Sequence, residues 1–122
     1  MQVSKISNNS FGKLYITRHL RNIIDNSSAF DPMFQETLKL KAIFKKKNLH
    51  NKEYVDVILD HRDFYGFIGS VRPKGRKYCF HNANMAGLHS FEKESIDSFA
   101  KTVEAYNDKC AKYAQYNLIK NN

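Results

Sequence analysis

Apolar positions recur along this chain with different spacings, and the changes of spacing mark its elements. From Ser90 onward, Ile96, Phe99, Ala100, Val103, Tyr106, Cys110, Tyr113, Ala114 and Leu118 fall at steps of three and four, the pattern of an amphipathic helix. Ser90 is placed to cap that helix, and Glu92 and Glu94 in the first turn suit its dipole. At about 1.5 Å per residue it would run roughly 40 Å, more than the roughly 35 Å breadth of such a domain, so its end is expected to protrude or meet a second copy.

Residues 54–82 hold three runs rich in Val, Ile, Phe and Tyr separated by polar turns, which predicts an antiparallel meander. Arg72-Pro73-Lys74-Gly75 specifies the second turn, with proline at its first central position and glycine where the backbone turns left-handed. A two-residue turn at His61-Arg62 then gives two sheet faces. Val55, Val57, Leu59, Phe64, Ile68, Tyr78 and Phe80 form the core face. Asp56, Ile58, Asp60, Tyr65, Phe67, Val71, Lys77, Cys79 and His81 form the other, a mixture of charge and aromatic rings.

Toward the N-terminus, residues 11–17 read as a strand, and Thr17 is placed to cap a short helix carrying Leu20, Ile23 and Ile24. Asp31-Pro32 opens a second helix as cap and first helical residue. That helix carries Phe34, Leu38 and Ala42 beside Leu40, Ile43 and Phe44, and ends at Lys45-Lys46-Lys47-Asn48. The expected fold class is therefore α+β: a three-stranded antiparallel meander, with a fourth N-terminal strand as a variant, packed on two or three helices. One domain spans residues 1–122, because a chain of this length has room for a single core.

Charge adds an asymmetry. The formal net charge is +8, and it resides in residues 1–82, which hold fifteen basic against seven acidic groups; residues 83–122 hold five of each. Two clusters stand out, Lys45, Lys46 and Lys47 at the end of the second helix, and Arg72, Lys74, Arg76 and Lys77 around the Pro-Gly turn. Arg62 and the aromatic residues Tyr65 and Phe67 lie near the latter in the meander. Tyr65-Gly66-Phe67-Ile68 resembles the centre of the RNP1 strand of RNA-recognition domains, where rings two residues apart stack on bases. The likeness covers four residues and departs at Asp63-Phe64 and at Ser70, so it is one of surface chemistry rather than of family.

Other chemistry is sparse. Cys79 and Cys110 lack a metal or redox spacing, and the five histidines show no HExxH or i, i+4 arrangement, so neither a cofactor nor a metal is expected. Asp60-His61-Arg62-Asp63 is the densest polar cluster and reads as a turn. No apolar stretch has the length of a signal peptide or a membrane span, which makes a cytoplasmic protein without membrane contact the expectation. Three functions follow in order. The first is a basic accessory domain that binds an acidic partner protein and forms a homodimer through its C-terminal helix. The second is a domain that binds RNA or single-stranded nucleic acid through the cations and sheet aromatics. Least supported is a small enzyme around His61, His81 or Cys79.

Overall fold

The computed structural model describes residues 12–63, 66–76, 81–87, 90–91 and 93–121, with side chains for 12–63, 66–76 and 95–116. The fold is α+β. Five strands, β1 (Leu14–Ile16), β2 (Val55–Arg62), β3 (Gly66–Pro73), β4 (His81–Gly87) and β5 (Ser90–Phe91), lie in the sheet in chain order. Helices α1 (Arg18–Asp25) and α2 (Pro32–Lys46) connect β1 to β2, and α3 (Lys93–Asn121) closes the chain. The sheet is mixed: β1 runs parallel to β2, and the remaining pairs are antiparallel. A parallel pair needs a long crossover, which α1 and α2 supply.

The local signals explain the helix ends. The Thr17 hydroxyl accepts the Leu20 amide at 3.3 Å, and the Asp31 carboxylate accepts that of Met33 at 2.8 Å, with Pro32 in the first turn. α2 stops where Asn48 turns left-handed at φ 64°. There the Leu49 amide reaches the Phe44 carbonyl at 2.9 Å and the Asn48 amide the Lys45 carbonyl at 3.0 Å, satisfying carbonyls at the helix end. Leu49 then folds into the core.

Of the apolar residues expected along α2, Leu40 and Phe44 are buried, together with Thr37, whereas Leu38 is half exposed and Ala42 exposed. Steps of three and four link both sets, and a buried threonine is tolerated because its hydroxyl donates to the Met33 carbonyl at 2.7 Å. Leu20, Leu40, Phe44, Ile96, Phe99 and Val103 pack with Val55, Val57, Leu59, Phe67 and Val71 into one core, so the three helices cover one sheet face. The Phe44 and Phe99 rings stack at 5.8 Å between centroids.

The meander differs from expectation in register. Asp60, His61 and Arg62 belong to β2, which pairs Val57 with Val71, His61 with Phe67 and Arg62 with Gly66. The turn therefore falls beyond Arg62, with Gly66 at φ 77°, not at His61-Arg62. Moving the turn by an odd number of register steps exchanges the faces of β3. Phe67 and Val71 go to the core, and Ile68, expected there, pairs with Asp60 on the other face. The described part of the third meander strand is His81–Gly87, and residues 77–80, expected in the turn and strand before it, lie outside the described residues together with Phe64 and Tyr65. Ser90 is a strand residue and not a helix cap, because β5 intervenes before α3.

Candidate functional site

The sheet face turned away from the helices is organised by one buried carboxylate. Asp56, 2% exposed, stands opposite Arg72 in the β2–β3 register. Its Oδ1 accepts the Lys13 amide at 2.9 Å, and its Oδ2 accepts the Gly75 amide at 3.2 Å and Arg72 Nε at 3.4 Å. A charge removed from water needs such donors, and here three residues from two segments of chain supply them. Gly75 reaches it because its φ of +76° curls the loop back, while the Lys74 amide is held by the Tyr54 carbonyl at 3.0 Å. The Arg72 guanidinium also lies 5.0 Å from the centroid of the Tyr15 ring, a cation–π contact at the surface.

The consequence is convergence of charge. Lys13 and Gly75 bond to the two oxygens of one carboxylate, so the exposed side chains of Lys13, Lys74 and Arg76 gather at one corner of the sheet, beside Tyr15. Lys13, Tyr15 and Asp56 were not singled out as site residues by sequence reasoning. Alternation with Leu14 and Ile16 does put Lys13 and Tyr15 on one strand face. The missing information was the pairing of Tyr15 with Ile58, which sets that face beside Asp56.

The other expected site residues divide. Lys45 and Lys46 are exposed at the end of α2, whereas Lys47 is ion-paired with Asp97 on α3. Arg62 Nε lies 3.2 Å from Asp60 Oδ2, and Arg72 is partnered as described. Phe67 is wholly buried and stacks on nothing outside the protein, which removes it from any binding surface; its burial follows from the register above. Tyr65 and Lys77 lie outside the described residues.

The two basic clusters do not merge. Lys47 meets α3 at Asp97, whereas Tyr54, next to the turn that carries Lys74, meets it through Asn107, whose side-chain oxygen accepts the Tyr54 amide at 2.8 Å. Ten residues of helix between these attachments amount to about 15 Å. Lys52, paired with Glu104, fastens the stretch between.

His61 is buried at 5% exposure in the core face, edge-on to Phe67 with centroids 5.1 Å apart, and neither ring nitrogen has a hydrogen-bond partner among the described residues. Desolvation lowers its pKa below 6.5, reinforced by His19 and opposed by Asp63 and Asp60. Asp60 points to the opposite face, where its carboxylate accepts the Thr17 hydroxyl at 2.5 Å, so Asp60 and His61 form no acid–base pair. Cys110 is a free thiol whose pKa is raised by burial, with Lys109 acting in the other direction, and a raised thiol is a poor nucleophile. Among the described residues no cluster of three His, Cys, Asp or Glu side chains fits a metal ion, and no helix is long and apolar enough to cross a membrane.

The distal half of α3 leaves the core. Burial fades through Tyr106 and Cys110, and Tyr113 and Tyr116 are exposed at 65% and 58%. A shallow groove of about 430 Å³ bounded by Thr102, Ala105, Tyr106 and Lys109 runs along the helix before them. Tyr113, which the spacing predicts to extend the buried stripe, is instead exposed. No family model, curated protein or solved structure matches this chain.

Proposed function

We propose that this protein is a small basic binding domain that recognises an acidic partner protein through the corner around Asp56. The observation that carries the reading is the three-way attachment of Lys13, Arg72 and Gly75 to one buried carboxylate. Cations on a loop held in this way surrender less freedom on binding than cations on a loose turn. Lys13, Lys74 and Arg76 meet the partner's carboxylates, and the Tyr15–Arg72 pair offers a flat surface beside them. Complementary charge of this kind sets encounter rate and partner choice.

A labelled poly-glutamate peptide is the test probe, followed by fluorescence anisotropy at low and physiological salt. Binding should weaken with salt, and the triple variant Lys13→Glu, Lys74→Glu, Arg76→Glu should lose at least about tenfold in affinity, equivalent to about 1.4 kcal/mol. Equal binding by the variant, or none by the native protein, would overturn the reading.

The exposed Tyr15 ring favours a second reading, binding of single-stranded nucleic acid. Three exposed cations would then give a log–log salt slope of about −2 on poly-uridine, and Tyr15→Ala would remove a stacking contact worth about 1–3 kcal/mol. Tighter binding of poly-uridine than of poly-glutamate, lost in Tyr15→Ala, would replace the first reading with the second.

A further inference from the structure

β1 is the outermost strand of the described sheet, and half of its backbone polar groups face away from it. The Thr17 amide donates to the Leu59 carbonyl at 3.1 Å and the Lys13 carbonyl accepts from Val57 at 2.9 Å, so residues 13, 15 and 17 turn toward β2. Alternation along the strand turns the amides and carbonyls of Leu14 and Ile16 the other way. No described strand pairs with that side. Exposed cations stand at both ends of this short edge, Lys13 before it and Arg18 after it, and Lys74 and Arg76 lie at the Lys13 end.

We propose that the free edge of β1 receives an extended acidic segment of a partner protein, which adds to the sheet as a further strand. This rests on the acidic-partner reading and specifies its geometry. Backbone bonds from Leu14 and Ile16 hold the segment whatever its sequence, and the flanking cations select one with carboxylates on both sides of a short β-favouring stretch. A second copy of this chain is the wrong occupant. Antiparallel self-pairing through Leu14 and Ile16 sets Lys13 opposite the other copy's Thr17, one position from its Arg18, and parallel self-pairing sets Lys13 one position from the other copy's Lys13, so like charges crowd either arrangement.

The test uses the full chain and a blocked peptide, Glu-Glu-Val-Thr-Val-Glu-Glu, in three forms: unmodified, N-methylated at both valines, and N-methylated at the threonine and at the glutamate next to each valine. All forms carry the same charge, but a strand offers its amides to opposite sides in turn. One methylated form should lose about tenfold or more in affinity, as expected when backbone hydrogen bonds are blocked, and the other should stay within about twofold. Amide exchange followed by NMR should slow at Leu14 and Ile16 when the unmodified peptide binds and stay unchanged at Tyr15. If both methylated forms bind like the parent, strand addition is wrong while charge-driven docking stands. If neither this peptide nor poly-glutamate binds, the acidic-partner reading itself fails. Protection of Leu14 and Ile16 that appears without peptide and grows with protein concentration would show a second copy on the edge and overturn the proposal.

Discussion

His61 is a polar ring in an apolar place, and replacing it with leucine should make the protein more stable. Both ring nitrogens are buried without a partner among the described residues, and a buried unsatisfied polar group costs about 1–3 kcal/mol. Against this, leucine forfeits the edge contact with Phe67, worth about 0.5–1.5 kcal/mol. The difference of the two mid-range values is a gain of about 1 kcal/mol at pH 7.5, or about 4 °C in melting temperature. The acid side carries a sharper signature. Because burial lowers the folded imidazole's pKa below 6.5, the unfolded chain takes up the proton first as the pH falls. The stability that neutral His61 permits is therefore present above about pH 6.5 and is lost below it, at up to about 1.4 kcal/mol for each pH unit. Urea denaturation of the native protein and His61→Leu at pH 5.5, 6.5 and 7.5 reads both effects. The gap between the two proteins should widen toward acid. Parallel pH profiles, or a variant less stable at every pH, would refute the account of His61 as an uncompensated buried base.

Gly12 and Gly75 should respond oppositely in size to alanine. A Cβ at Gly12 would sit 1.7 Å from the Val55 carbonyl oxygen, so Gly12→Ala should prevent β1 from docking and lower the urea midpoint severely. At Gly75 there is open space and only the left-handed backbone to oppose the change, so Gly75→Ala should cost about 1–2 kcal/mol. Phe67→Ala should cost about 3–5 kcal/mol in thermal or urea unfolding, as a core truncation, whereas a ring serving only to stack on a ligand would cost little. Thr17→Ala removes both a helix cap and the hydroxyl that donates to Asp60, and should cost about 1–2 kcal/mol by the same measurement.

Most local signals in the sequence predicted the structure, although Ser90, a helix cap by residue type, falls in β5. Thr17, Asp31-Pro32 and Gly75 each act at the position their chemistry suggests, and the α3 stripe through Ile96, Phe99 and Val103 is buried as its spacing requires. What depended on pairing between distant segments was not legible. The turn after β2 has no residue before Gly66 that marks it, so a strand two residues too short was as consistent with the pattern as the observed one. The error then propagated to every face of β3, carrying Phe67 from a supposed binding surface into the core. The parallel docking of β1 was equally hidden, since three residues carry too little pattern to state a partner or a direction. Charge counting placed the basic excess in the correct part of the chain, but not its cancellation at Lys47, Arg62 and Arg72 by Asp97, Asp60 and Asp56.

The carboxylate at Asp56 also sets when the surface comes into being. It joins Lys13 across 43 positions of sequence and Gly75 across 19, so it can be assembled only after the crossover through α1 and α2 has closed and the β2–β3 ribbon has formed. A nascent or damaged chain would carry the same lysines and arginines as a diffuse cloud of charge. Only a chain that has completed its topology displays them as a fixed constellation, so the recognition proposed for this corner would be conditional on correct folding.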